Sequence, residues 1–162
     1  MTLDIREYRP LDRVSVVALW NEVFSLPNGH NEPASAIDRK VASDDGLFFV
    51  ATSDGELVGT VLAGYDGHRG WLYSLAVRPS HRRQGIGRRL VDHAEGRLKQ
   101  LGCPKSNLQV RCDTTAVLSF YRALGFRTED RISMGKRLPE LRARSEDGKP
   151  ALATAKNETE CG

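Results

Sequence analysis

The sequence predicts an α/β (α+β) fold, and three observations carry the prediction. Short β-rich runs alternate with amphipathic helical stretches in the order β-α-α-β-β-β-α-β-α-β; an Asp-Gly pair at 54–55 separates two of the β runs; and the two later helical stretches are each followed by a glycine, Gly102 and Gly125. Length agrees, since 162 residues with 40% apolar content suit one domain with an ordinary core.

Residues 5–9 read as the first strand. Asp12 is placed to cap a helix whose apolar positions Val16, Val17, Leu19, Trp20 and Val23 recur at helical spacing. Between 24 and 36 lie Pro27, Asn28, Gly29, His30, Asn31 and Pro33, a turn-rich link into a short helix around 37–41. Residues 47–52 and 57–65 are β-rich runs joined through Asp54-Gly55, a strong hairpin signal, so they form an antiparallel pair. A second turn at 66–70 feeds a strand at 71–77, which Pro79 ends by withholding a backbone donor.

The next helix runs from about 87 to 101, with Leu90, Val91, Ala94, Leu98 and Leu101 on one face; Gly102 caps it and Cys103-Pro104 forbids continuation. Residues 108–112 supply another strand, Asp113 or Thr114 caps a helix over 115–124, and Gly125 closes that helix before a last region, 126–137, expected to hold two strands. The folded domain is expected to span 1–138. Residues 139–162 have no aromatic side chain and few large apolar ones, so they read as a flexible polar tail.

The formal net charge of +3 does not by itself argue for nucleic acid. Its distribution says more. Residues 78–99 hold seven Arg and Lys against Asp92 and Glu95, which favours an anionic ligand there, while 22–45 holds five acidic residues against Arg39 and Lys40 and reads foremost as a solvated surface. Positive charge without interleaved aromatic residues argues against a nucleic-acid stacking platform. Cys103, Cys112 and Cys161 form neither a metal spacing nor an even framework, which suits reduced thiols in the cytoplasm and no metal. No apolar run approaches the ~20 residues of a membrane helix, so no membrane partner is expected.

The most informative segment is Arg82-Arg83-Gln84-Gly85-Ile86-Gly87, placed between the strand at 71–77 and the helix that follows. Two glycines permit a tight turn and close approach of a ligand, while the first N–H groups and the positive end of the helix dipole attract anionic oxygens. The loop therefore reads as a diphosphate cradle. Neither the dinucleotide string Gly-x-Gly-x-x-Gly nor the P-loop Gly-Lys-Ser/Thr occurs in it.

The spacing that does occur, Arg/Gln-x-x-Gly-x-Gly/Ala at Arg82, Gly85 and Gly87, resembles the coenzyme A signature of the GNAT family of N-acetyltransferases. The hairpin ahead of the loop, the strand Tyr73-Ser74-Leu75-Ala76-Val77 and the helix string Phe120-Tyr121-Arg122-Ala123-Leu124-Gly125-Phe126 resemble the same family in order and spacing, over roughly residues 48–138. Gly64-Tyr65-Asp66-Gly67-His68-Arg69-Gly70, Gly102-Cys103-Pro104-Lys105 and Gly135-Lys136-Arg137-Leu138 look like a bacterial subgroup often called YpeA-type.

The resemblance implies a mixed, mostly antiparallel sheet splayed like a V with flanking helices, and acetyl-CoA as co-substrate along the strand that ends at Val77. The backbone of Leu75, Ala76 and Val77 would pair with pantetheine amides, and the amides from Arg83 through Gln84, Gly85, Ile86 and Gly87 to Arg88 would hold the diphosphate, with Arg82, Arg83 and Arg88 adding charge. Many members carry an Asn seven residues before the helix tyrosine; here that position is Thr114, which offers a hydroxyl instead.

The implied reaction is direct attack of a primary amine, on a small molecule or a peptide, upon the thioester in a ternary complex. The departing thiol titrates near ~8.5 and a proton donor helps it leave; by the resemblance Tyr121, with a reference pKa near ~10, is that general acid. Deprotonating the acceptor at pH 7 costs about 4–5 kcal/mol for a lysine-like amine and about 1 kcal/mol for an α-amine. The strand at 71–77 carries no carboxylate, so no base is assigned; Tyr73, Asp66 and His68 are candidates by location, and Glu22 and His30 by reach from the link. A non-catalytic acyl-CoA-binding module of the same fold is the alternative. A monomer or a homodimer is expected.

Overall fold

A computed structural model describes residues 2–24, 32–111 and 114–139. The chain divides into a unit spanning Met1–Arg127, which holds every described helix and strand, and a smaller unit from Thr128 onward. His30, Asp113, Cys112, Cys161 and nearly all of the expected tail lie outside the described residues.

In the first unit the order is β1 (Leu3–Glu7), α1 (Arg13–Val23), α2 (Pro33–Ala42), β2 (Phe48–Ser53), β3 (Glu56–Tyr65), β4 (Gly70–Val77), α3 (Ile86–Gln100), β5 (Ser106–Leu108) and α4 (Thr115–Ala123). The five strands form one mixed sheet in sequence order; β1 to β4 are antiparallel neighbours and β5 runs parallel to β4. Both faces are covered. Leu47, Phe49, Val61, Leu90, Val91 and Leu98 lie in the core beneath α3, and Val16, Leu19, Trp20, Ile37, Phe48 and Leu62 in the one beneath α1 and α2. Burial on both faces explains why β2 reads Phe-Phe-Val-Ala without polar alternation.

Local chemistry set several of these elements. Asp54 and Gly55 both take positive φ, 49° and 86°, as the two central residues of a primed hairpin turn do. Asp12 sits at the start of α1 but does not cap it. The residue is already helical, so its carboxylate reaches back to the Arg9 amide at 2.7 Å and takes two hydrogen bonds from Arg6 at 2.8 and 2.9 Å. Arg6 holds the Asp12 carboxyl below the usual carboxylate range.

Three further expectations change. Leu101 stands 52% exposed, because the chain turns at Gly102 before that position faces the core. The strand expected at 108–112 forms at Ser106–Leu108, since pairing with β4 begins where the Lys105 carbonyl accepts the Gly70 amide at 2.8 Å and ends at Leu108. Residues 128–139 carry neither helix nor strand; Ile132 and Met134 are 91% and 90% exposed, so no burial offsets the ordering of a strand there.

His93 on α3 stands edge-on to the Phe49 ring, with centroids 4.7 Å apart. Burial, and then Arg97, lower its pKa, whereas Glu7 and Asp4 act weakly the other way. The fold thus favours neutral imidazole, and this contribution is present above the unfolded pKa near ~6.5 and lost as pH falls. Thermal denaturation should show Tm falling between pH 7 and pH 5, and His93→Gln should flatten that slope.

Candidate functional site

The site begins where β4 loses its neighbour. β5 pairs with Gly70, Trp71 and Leu72 only, so from Tyr73 to Val77 the far edge of β4 has no strand partner among the described residues. On the other edge Arg78 donates to the Val58 carbonyl at 2.8 Å, and the antiparallel ladder alternates, so Ala76 faces β3 while Val77 turns its amide and carbonyl to the open edge. The Nε of Arg82 meets that carbonyl at 3.2 Å.

The pairing of β3 with β4 slips between Thr60 and Leu62, opposite Ser74, whose φ of 51° lies in the left-handed region that non-glycine residues rarely enter. This bulge sorts the side chains. Leu72, Leu75 and Val77 pack toward α3, while Ala76 joins the core beneath α1 and α2. The spacing of Leu72 and Leu75, three apart in a period-two strand, was its one sequence signal. The Ser74 carbonyl accepts from the Thr60 hydroxyl at 3.1 Å, and Thr60 in turn accepts from the Trp20 indole at 2.9 Å.

After β4 a single turn at Pro79–His81 leads into the glycine loop. Arg83 and Gly85 both take positive φ, 64° and 78°, and Gly85 starts α3 without a side-chain cap. The first main-chain donor to find an acceptor is Arg89, which bonds the Gly85 carbonyl at 3.1 Å. The amides of Arg83, Gln84, Gly85, Ile86, Gly87 and Arg88 have no acceptor among the described residues. Six consecutive donors left unbonded at a helix N-terminus, with arginines rather than acids in the first turn, form an anion-binding arrangement. A backbone held left-handed at Arg83 fits the same reading.

α4 closes the other side. A Cβ on Gly87 would lie 3.2 Å from the Phe120 ring, so this glycine lets α4 approach α3, whereas Gly85 serves the positive φ and faces open space. Arg88 donates to the Ala123 carbonyl at 3.1 Å, tying the loop to the end of α4. Tyr121 packs edge-on to Phe120 and Phe126, with centroids 5.0 and 5.6 Å away. Burial pushes its pKa up to about 12. No described residue takes a hydrogen bond from its hydroxyl, which is therefore free to donate elsewhere.

The remaining candidates are placed as follows. Asp66 accepts the His68 and Arg69 amides, each at 2.7 Å, which holds its own turn and lowers its pKa, making it a weak base. His68 is exposed with its Nε2 3.0 Å from Arg69. Glu22 pairs with Arg78 at 2.9 Å, tying the end of α1 to the end of β4. Tyr73 is 44% exposed, burial raises its pKa, and its hydroxyl is 3.5 Å from the Ala63 carbonyl. Thr114 starts α4 without capping it; its hydroxyl donates to the Arg111 carbonyl at 2.8 Å.

Sequence reasoning missed Lys40. Its side chain is 6% exposed, and its ammonium lies 2.6 Å from Asp45, bonds the Ala63 carbonyl at 2.5 Å and stands 5.9 Å from the Tyr73 ring centroid. Among the described residues no three His, Cys, Asp or Glu side chains gather as a metal would require, and no helix is long and apolar enough to cross a membrane.

Comparisons with known proteins converge on one family. The profile described as "Acetyltransferase (GNAT) family" matches residues 14–126. The chain is 44% identical over 140 residues to an acetyltransferase of Pectobacterium atrosepticum, covering 86% of this chain and 99% of that one. It is 42% identical over 136 residues to an acetyltransferase of Yersinia pestis, covering 84% and 96%. Its fold matches the PaiA N-acetyltransferase of Thermoplasma acidophilum, solved with coenzyme A, with a TM-score of 0.72 at 21% identity over 82% of this chain and 94% of that chain.

Proposed function

The chain belongs to the acetyltransferase (GNAT) family and is an acetyl-CoA-dependent N-acetyltransferase; from that premise we propose that it acetylates a primary amine of a small molecule or peptide by direct attack in a ternary complex. The observation that carries the proposal is the run of six unbonded amides from Arg83 to Arg88 beside the unpaired half of β4. Those amides fit a diphosphate, with Arg83 adding charge, while Val77 offers main-chain groups along the open edge. Leu75 belongs to the same stretch, whereas the amide and carbonyl of Ala76 face β3 and so would not pair with pantetheine. Arg82 and Arg88 combine charge with their bonds to Val77 and Ala123. Thr114 retains only an accepting role toward a ligand, since its proton is given to Arg111.

Acetyl-CoA supplies an acyl group already activated as a thioester. Tyr121 then needs only to donate a hydrogen bond to the departing sulfur, and its raised pKa keeps the phenol protonated at any assay pH. Tyr73 is assigned to the acceptor side, and Glu22, His30, Asp66 and His68 are carried with it as the other candidates for that side. The catalytic domain is assigned to residues 1–138 and a polar tail to 139–162. The enzyme is read as a cytoplasmic monomer or homodimer of the YpeA-type subgroup that needs no metal.

Two measurements test the reading: acetyl-CoA binding by calorimetry, and CoA release across amines, polyamines, aminoglycosides, amino acids and peptide N-termini. Binding with turnover on at least one amine supports it. Tight binding with no turnover on any amine would favour a non-catalytic acyl-CoA-binding module. Gly85→Ala should weaken acetyl-CoA binding by about five-fold, because alanine in the left-handed region costs about 1 kcal/mol and the loop relaxes to avoid it. An unchanged Kd would remove that conformation from cofactor binding.

A further inference from the structure

We propose that Thr60 and Trp20 are positioning residues for acetyl transfer, holding the β4 bulge in the form that presents its open edge; the inference rests on the function proposed above. Both are sealed from solvent, Thr60 at 0% and Trp20 at 2% exposure, and they come from different elements, β3 and α1. An indole N–H only donates, so the Thr60 oxygen accepts from Trp20 and the hydroxyl proton is left for the Ser74 carbonyl at 3.1 Å. The chain of bonds therefore has one direction and one end point.

That end point is the residue at which β4 changes character. Ser74 holds a left-handed backbone, lies two residues after the last contact with β5, and separates Leu72 from Leu75, which share a face. Removing the bulge would slip the strand by one residue and exchange the faces of everything beyond it. Leu75 and Val77 would turn toward α1, and Ala76 toward α3. Val77 would also lose its outward amide and carbonyl, which are the groups the open edge offers.

The aromatic surroundings extend the device. Trp20 lies against Phe48 at 6.1 Å and Phe24 at 6.3 Å, and Phe48 stacks on Tyr8 at 4.4 Å. The indole is thereby fixed in orientation by packing that does not depend on its hydrogen bond. Trp20→Phe keeps an aromatic ring against Phe48 and Phe24 and deletes the donor, whereas Thr60→Val keeps the volume and deletes the link.

The test uses the full chain with acetyl-CoA and whichever amine of the panel the parent turns over fastest. The double variant Trp20→Phe/Thr60→Val removes the bond between the two side chains, leaves the Ser74 carbonyl without its donor and opens a small void where the indole was, so the fold should persist with Tm lower by a few degrees. Its kcat/KM should fall about ten-fold or more, as small misplacements near reacting groups do, and Thr60→Ser should stay within about two-fold of the parent. Parental kcat/KM in the double variant would overturn the inference, and so would an equal loss in Thr60→Ser. Amide exchange at residues 74–76, read without any substrate, should quicken in the double variant and stay parental in Thr60→Ser; unchanged exchange would overturn the inference even if activity fell. A parent that neither binds acetyl-CoA nor turns over an amine would count against the proposed function, and exchange would still decide the role of Thr60.

Discussion

Tyr121→Phe should lower kcat by about a hundred-fold while leaving the Kd for acetyl-CoA within error, because the substitution removes one proton donor and nothing else. The ring contacts with Phe120 and Phe126 survive the change, and no described residue loses a hydrogen bond with the hydroxyl. The pH profile gives an independent check. With burial pushing the phenol up to about 12, its proton is present throughout the accessible range, so the rate should climb as the acceptor amine deprotonates and show no alkaline limb below about pH 10. In Tyr121→Phe the same climb should remain at a lower ceiling. A variant with parental kcat would exclude Tyr121 from the chemistry, and an alkaline limb near pH 9 that vanished in the variant would show that the phenol titrates lower than its burial implies.

The parts of this fold that were legible in the sequence are those fixed by neighbours along the chain. Asp54-Gly55 requires two positive φ values wherever it occurs between strands, and the structure has them. The stripe Leu90, Val91, Ala94 and Leu98 specifies the buried face of α3 whatever covers it. Gly102 and Gly125, at φ values of 81° and 93°, close their helices as a C-terminal glycine does. The start of α2 was less legible, because its cap is Glu32, whose carboxylate accepts the Ala34 and Ser35 amides at 3.0 and 2.8 Å, and glutamate is not a favoured capping residue.

What the sequence concealed depends on partners far along it. Thr60 bonds Trp20 across forty residues and Ser74 across fourteen, so no local pattern marks it as more than a strand threonine. Gly87 belongs to the loop motif, yet its neighbour in space is Phe120 on another helix. β5 starts where β4 offers it partners rather than where its own β-rich residues begin. Charge was misread for the same reason: Lys40 counts as one more surface cation within residues 22–45, and only the packing of α2 on β3 shows it to be buried.

That burial leads to the largest effect on stability. Asp45→Ala should cost about 3 kcal/mol, since removing one member of a largely buried ion pair strands the other charge. Lys40 is 6% exposed on its side chain, and without Asp45 its ammonium would keep the Ala63 carbonyl and the face of Tyr73, neither of which carries a full negative charge. The aspartate is itself 32% exposed, which keeps the expected loss near the lower end of the range for such pairs. The substitution also removes the acceptor of the Leu47 amide, at 3.1 Å, just ahead of β2. Thermal denaturation should show Tm lower by about 10 °C. Lys40→Met is the informative contrast: it fills similar space with an apolar chain and leaves behind a carboxylate that water can reach, so its loss should be about half as large. If Asp45→Ala and Lys40→Met destabilise equally, the pair is held together by packing and not by charge. If neither moves Tm, the ammonium is hydrated in solution and the buried arrangement is not the one that folds.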